Sequence, residues 1–242
     1  MRKLSFLCLI LTGCAGVQPA TPAKYLDVRA VAPSPCEKYY VLIFSSQDLL
    51  KSPRFTHTWV TAVRVSEQGA IVHHTISWMP ATLNIHPFDT KLEPGVNLRL
   101  HDTITKVALA NKEEIAMWGP YECRPAFFQR FVVQKQFMES GQMKYQCVDT
   151  IGEAGRTGQG CNCIHAITDM DPEHGRRQYP LTRYGWDAGL EITRRFREIG
   201  VFSDVRTHDF LIPALGLQSY PITRANNEDV LAPSRLPLVG KR

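Results

Sequence analysis

Residues 38–47, KYYVLIFSSQ, form a nearly unbroken run of β-branched and aromatic positions, which predicts a buried strand. FTHTWVTAVRV and IVHHTISWMP follow, separated by the Gly-containing EQGA, and this pattern predicts a hairpin. Phe55, His57, Trp59, Val63 and Val65 share one face of its first strand; Val72, His74, Ile76 and Trp78 share the more apolar face of its second. Matching the two faces pairs Ser66 with Ile71, Trp59 with Trp78 and His57 with Pro80. GVNLRLHDTI reads as a further strand, and residues 104–118, ITKVALANKEEIAMW, have helical spacing ended by Gly119-Pro120. PAFFQRFVVQKQFMES is the strongest helix, with Pro125 in its first turn, an apolar stripe of Phe127, Phe128, Phe131 and Val132, and Gly141 beyond its end. MKYQCVDT predicts a strand and IGEAGRTGQG a glycine-rich loop. CNCIHAITDM predicts a short helix stopped by Pro172, and WDAGLEITRRFREIG an amphipathic helix with Leu190, Ile192, Phe196 and Ile199 turned inward. No internal repeat interrupts this order. The fold class expected is α+β, an antiparallel sheet packed against helices.

The N-terminus changes the picture. Met1-Arg2-Lys3 is a short basic segment, and LSFLCLIL is an apolar run too short to span a bilayer as an ordinary helix. Leu11-Thr12-Gly13-Cys14 resembles a bacterial lipobox, which predicts lipidation of Cys14 after signal cleavage. Ala15 in place of an aspartate matches outer-membrane sorting in a Gram-negative envelope. The organisation expected is a signal peptide over 1–13, a Pro/Ala-rich tether over 14–36, one domain over 37–218 and an irregular tail over 219–242. The partner this implies is a membrane, reached through the N-terminal lipid. Removing Arg2 and Lys3 takes the formal charge from +5 to +3, too mild for nucleic acid, and no basic aromatic stripe is present. At 44% hydrophobic and 21% charged residues, the body is ordinary for a globular domain.

Once Cys8 and Cys14 are set aside, Cys36, Cys123, Cys147, Cys161 and Cys163 remain. In an exported domain an odd number suggests disulfides plus one thiol; several buried, reduced cysteines are the alternative.

The candidate chemistry centres on GQGCNCIHAI, residues 158–167. A thiol at a helix start meets unpaired N–H groups and the positive end of the dipole, which favour the thiolate. Cys163, entered through the loop 152–160, fits that position, and His57 is the best candidate partner. Cys161 is the natural disulfide or spare residue. With His165 it shares a helix face, a half-site for zinc or copper(I) without a second ligand pair. Asp169, Asp171, Glu173 and His174 read as a solvated helix end, His101-Asp102 as a weak pair, and Arg194, Arg195 and Arg197 as a solvated helix face.

His57-Thr58-Trp59-Val60 early in the chain and Asn162-Cys163-Ile164-His165-Ala166 at the start of a later helix resemble the circularly permuted papain-like (NlpC-type) cysteine hydrolases and their lecithin–retinol acyltransferase relatives. The resemblance covers roughly residues 38–170 and rests on these two motifs and the element order. It implies a permuted papain-like fold and a hydrolase or acyltransferase acting on an amide or ester. Cys163 would attack the carbonyl and His57 would act as base and then acid. Backbone N–H groups of the loop around Gly160 and Asn162 would hold the oxyanion. The substrate classes it implies are cell-wall peptides, other amides or lipids, with no metal and no cofactor. Two departures stand out: Thr58-Trp59 replaces the small residue expected soon after the histidine, and the third polar residue is missing from its place. In the register above His74 lies opposite Val63, about 20 Å along the strand from His57 at ~3.3 Å per residue. His73 points to the other face. Thr82 or Asn84, Ser77 at a bulge, or a backbone carbonyl remain for that role. A non-catalytic surface lipoprotein with structural cysteines, including a degenerate member of this family, is the second expectation, and a metal-binding lipoprotein the third.

Overall fold

The computed structural model describes residues 36–87, 89–149, 159–170 and 183–233. The signal, Cys14 and the tether up to residue 35 lie outside the described residues. So do most of the glycine-rich loop and Asp171, Pro172, Glu173 and His174.

The frame is a five-stranded sheet. It contains β1 (Lys38–Gln47), β2 (Thr56–Val65), β3 (Ile71–Ile76), β6 (Glu114–Glu122) and β9 (Ile222–Arg224) in the order β3-β2-β1-β6-β9. All neighbours are antiparallel except β9, which runs parallel to β6. Two short strands, β4 (Trp78–Pro80) and β5 (Gly95–Asn97), pair with each other. So do β7 (Lys144–Tyr145) and β8 (Gly160–Cys161), in parallel. The mixed α+β class with a mainly antiparallel sheet agrees with the sequence pattern.

Both faces of the sheet are covered, which explains why β1 reads as continuous apolar sequence rather than alternating. On one face Val41, Ile43, Val60, Ala62 and Trp118 pack under α2 (Pro125–Glu139), α3 (Cys163–Thr168) and α4 (Trp186–Glu198). On the other, Tyr40, Leu42, Phe44, Trp59, Val63, Ile115 and Met117 meet Leu100, Ile104 and Ala108 together with Leu211, Leu215 and Leu217. Leu100, Ile104 and Ala108 belong to a short helix, α1 (Leu100–Asp102), that runs into a π-helical stretch over Thr103–Leu109. Leu211 begins α5 (Leu211–Ala214).

Four expectations need correction. The hairpin register is one residue off: Val65 pairs with Ile71, Val63 with His73 and Ala62 with His74. Gly69 is the cause. Its φ of 81° allows a three-residue loop closed by Ser66 N–H to Ala70 O at 2.9 Å, where a four-residue loop was expected. A slip of one residue turns every side chain to the opposite face. Second, residues 104–118 are not one helix, because Glu114–Trp118 open β6, an interior strand with Ile115, Ala116, Met117 and Trp118 all buried. An apolar run this short fits a fully buried strand as well as a helix. Third, GVNLRLHDTI gives only the short β5 before the chain turns helical at Leu100. Fourth, the described part of the expected tail, residues 219–233, is not irregular: β9 completes the sheet, and α6 (Asn227–Leu231) follows it, capped by Asn226, while residues 234–242 lie outside the described residues. Among the described residues, no helix is long and apolar enough to cross a membrane.

Candidate functional site

β7 and β8 bring the second half of the candidate motif together. Lys144 N–H donates to Gln159 O at 2.9 Å and Gln146 N–H to Cys161 O at 3.1 Å, a parallel ladder that delivers the chain to Asn162. Gly160 has a packing reason: a Cβ there would lie 2.5 Å from Leu92 and 2.8 Å from the Gln146 amide oxygen. Asn162 is extended (φ −88°, ψ −178°) and caps α3, its side-chain oxygen accepting from the N–H groups of Ile164 at 3.0 Å and His165 at 2.9 Å. The remaining bonds of Asn162 go to the segment just after β7. Its Nδ2 donates to Cys147 O at 3.2 Å and to Asp149 Oδ1 at 3.1 Å, and its backbone N–H to Asp149 Oδ2 at 2.9 Å.

Asp149 is the hub of this arrangement. Fully buried, it also takes Nδ1 of the equally buried His165 at 2.6 and 2.7 Å. A carboxylate enclosed this way is tolerated because several donors satisfy it. Asp149 therefore fixes both the cap and the imidazole of α3, and His165 is directed toward Asp149.

Cys163 is the first residue of α3, as the sequence predicts. Its surroundings do not favour a thiolate. Burial pushes the thiol up to about 12; backbone N–H groups of Thr58 and Ile164 pull it down, while Cys147 and Asp149 push it further up. The residue keeps partial exposure to solvent.

His57 is not brought to Cys163. It lies on the Trp59 side of the sheet, buried, its ring stacked on Trp59 at 5.6 Å and 17°. Trp59 in turn stacks on Phe44 at 5.3 Å and 3°. His57 Nε2 is bonded to Ser77 Oγ at 2.8 Å, which also takes the Thr103 hydroxyl at 2.8 Å. Burial alone lowers the imidazole to about 3, so it is neutral. The helix-bearing face carries Thr58, Val60 and Ala62 instead, the last two in the core with Ala166 and Ile167 of α3. Thr58 bonds Ser45 across the ladder at 2.9 Å, and Ser45 faces Gly189 of α4. The position beside the cysteine thus belongs to Thr58, one residue along from the expected histidine. Ser77 does reach His57, without a bulge, because the hairpin is one residue out of the expected register.

Cys161 is buried in the core of the helix-bearing face rather than on a helix face with His165. No cluster of three or more His, Cys, Asp or Glu side chains among the described residues is placed to hold a metal ion. No disulfide joins the described cysteines. His101 bonds Tyr220 at 3.0 Å and Asp102 pairs with Lys106 at 2.8 Å, which leaves them as separate surface contacts. The arginine row of α4 is not a solvated face. Arg194 is buried and bonds Glu191 and the Asp229 carbonyl, and Arg197 holds the Val230 and Leu231 carbonyls. Asp149 was missed because one carboxylate at the end of a predicted strand has no spacing signature.

Comparison of the chain with protein-family models, curated proteins and solved structures finds no match.

Proposed function

We propose that this chain is an exported lipoprotein of the cell envelope, tethered through a lipid on Cys14, whose domain has a degenerate permuted papain-like fold serving a binding or structural role. The lipobox-like Leu11-Thr12-Gly13-Cys14 and the Pro/Ala-rich stretch behind it support the tether, at the outer membrane if the cell is Gram-negative. The observation that carries the non-catalytic reading is that Thr58, not His57, meets the Cys163 sulfur. A nucleophilic thiol needs a base within hydrogen-bond reach and a thiolate accessible near neutral pH. Here burial works against the second, and His57 lies on the opposite face of the sheet from the thiol.

The competing reading, a cysteine hydrolase or acyltransferase acting on an amide or ester, draws on Cys163 standing at the first position of α3 with the Thr58 N–H at its sulfur. Alkylation of the pre-reduced full chain between pH 5 and 10, mapped by peptide mass spectrometry, separates the two. The non-catalytic reading expects Cys163 to label only when the chain unfolds. It also expects Thr58→His, which puts an imidazole on the cysteine's side, to raise the native-state labelling rate at neutral pH. Native labelling of Cys163 with a midpoint below the ordinary thiol value of ~8.5, abolished in His57→Ala, would establish the hydrolase instead.

A further inference from the structure

The cysteines themselves carry a second assignment. We propose that Cys147 and Cys163 become joined by a disulfide when the chain reaches an oxidising compartment. The parallel ladder pairs Lys144 with Gly160 and Tyr145 with Cys161. Two residues further on, Cys147 lies in a bend after β7 and Cys163 opens α3. Two hydrogen bonds hold the segments together there: Gln146 N–H to Cys161 O at 3.1 Å, and the Asn162 side-chain Nδ2 to Cys147 O at 3.2 Å. Tyr145 and Cys161 are both in the core of the helix-bearing face, and Cys147 packs against it. The Tyr145 hydroxyl is bonded to the Cys147 thiol and is also influenced by Cys163, which places the two sulfurs around one phenol. The bond from Asn162 to the Cys147 carbonyl keeps the next residue, Cys163, close to Cys147, and a disulfide spans about 4.4–6.8 Å between α-carbons.

The other thiols are less well placed. Cys161 is in register with Tyr145 and only diagonal to Cys147. Cys123 bonds Tyr39 at the far end of β1, whereas Cys163 lies near the Ser45–Thr58 end, about 20 Å away at ~3.3 Å per residue. In the reaction each thiol gives up a proton and one sulfur–sulfur bond forms. The two electrons reduce a disulfide-bearing oxidant, glutathione disulfide or an exported protein disulfide, to two thiols. The bond ties the bend after β7 to the first residue of α3 and withdraws the Cys163 sulfur from outside reagents. This assignment rests on export, not on whether the site is catalytic.

The test equilibrates the full chain with a mixture of glutathione disulfide and glutathione, quenches in acid, alkylates under denaturing conditions without reductant, and maps the peptides. The expected product is a cross-linked pair holding Cys147 and Cys163, absent after dithiothreitol. The thermal midpoint of the oxidised chain should fall by several degrees on reduction, and that of Cys147→Ala should not move. Recovery of both residues as alkylated thiols, or a cross-link joining Cys147 to Cys161, overturns the proposal. If those thiols label only after unfolding, the disulfide alone is lost; if Cys163 labels in the native chain below pH 8.5, the non-catalytic reading falls with it.

Discussion

Glu113 offers the sharpest test of how this interior handles charge. It is buried beside β1, where the Ser46 hydroxyl donates to one carboxylate oxygen at 2.5 Å and the Asn111 amide to the other at 3.1 Å. Burial pushes its carboxyl from the ordinary 4.5 up to about 7; the two hydrogen bonds pull down and Asp48 adds to the rise. Ser46 pairs with His57 in the ladder, and that neutral imidazole supplies no compensating positive charge. The folded chain therefore keeps a proton on Glu113 through the interval in which the unfolded chain has released it. Stability from this group is complete below about pH 4.5 and is lost as pH rises through about 7. At ~1.36 kcal/mol per pH unit, the loss amounts to about 3 kcal/mol. Glu113→Gln keeps the shape and a carbonyl for Ser46 but cannot ionise. In urea unfolding, the variant should match the parent within ~0.5 kcal/mol at pH 4 and exceed it by about 3 kcal/mol at pH 8.5. A difference between the two chains that does not vary with pH would refute the reasoning.

Three further substitutions probe the elements around Cys163. Asp149→Ala strands the Asn162 donors and His165 in a buried space, and chemical denaturation should show a loss of about 3–5 kcal/mol. Asn162→Ala removes the cap of α3 but leaves Asp149 its histidine, so a smaller loss of about 1–2 kcal/mol is expected in the same assay. Gly189→Ala sets a methyl 2.4 Å from the Trp118 ring and 2.5 Å from Ser45 Oγ, lifting α4 from the sheet. Its cost, about 1–3 kcal/mol, should appear as a lower thermal midpoint with tryptophan fluorescence changed around Trp118.

The sequence carried its strongest signals where pattern and environment agree. β1, α2 and α4 each show enough apolar positions over enough length to be read directly, and the Asn162 cap places the start of α3 at Cys163. β6 was misread because its opening residues are apolar on both sides, and a strand covered on both faces loses the alternation that identifies it. The error with most consequence came from one glycine. The conformation of Gly69 fixes the hairpin register, which no count of hydrophobic positions determines, and a half-period slip is enough to exchange neighbours. At the candidate site the helix start was legible, but its support was not. Asp149 acts through contacts made from a different strand, and Thr58 is defined by which side of β2 it occupies. Both depend on tertiary geometry.

The parallel strand β9 gives the molecule an order of assembly. Ile222, Thr223 and Arg224 fill the outer edge of β6, partnered by Ile115, Ala116 and Met117 from the middle of the chain. The segment just beyond is clasped by Tyr121 through Asn227 and by Arg194 through the Asp229 carbonyl. A chain emerging from its N-terminus onward thus reaches this stage with one sheet margin unsealed, its amide and carbonyl groups open to pairing with a neighbouring molecule. Only arrival of the last stretch closes it. Nascent or clipped forms ending before residue 222 should be the species that associate, through the bare edge of β6.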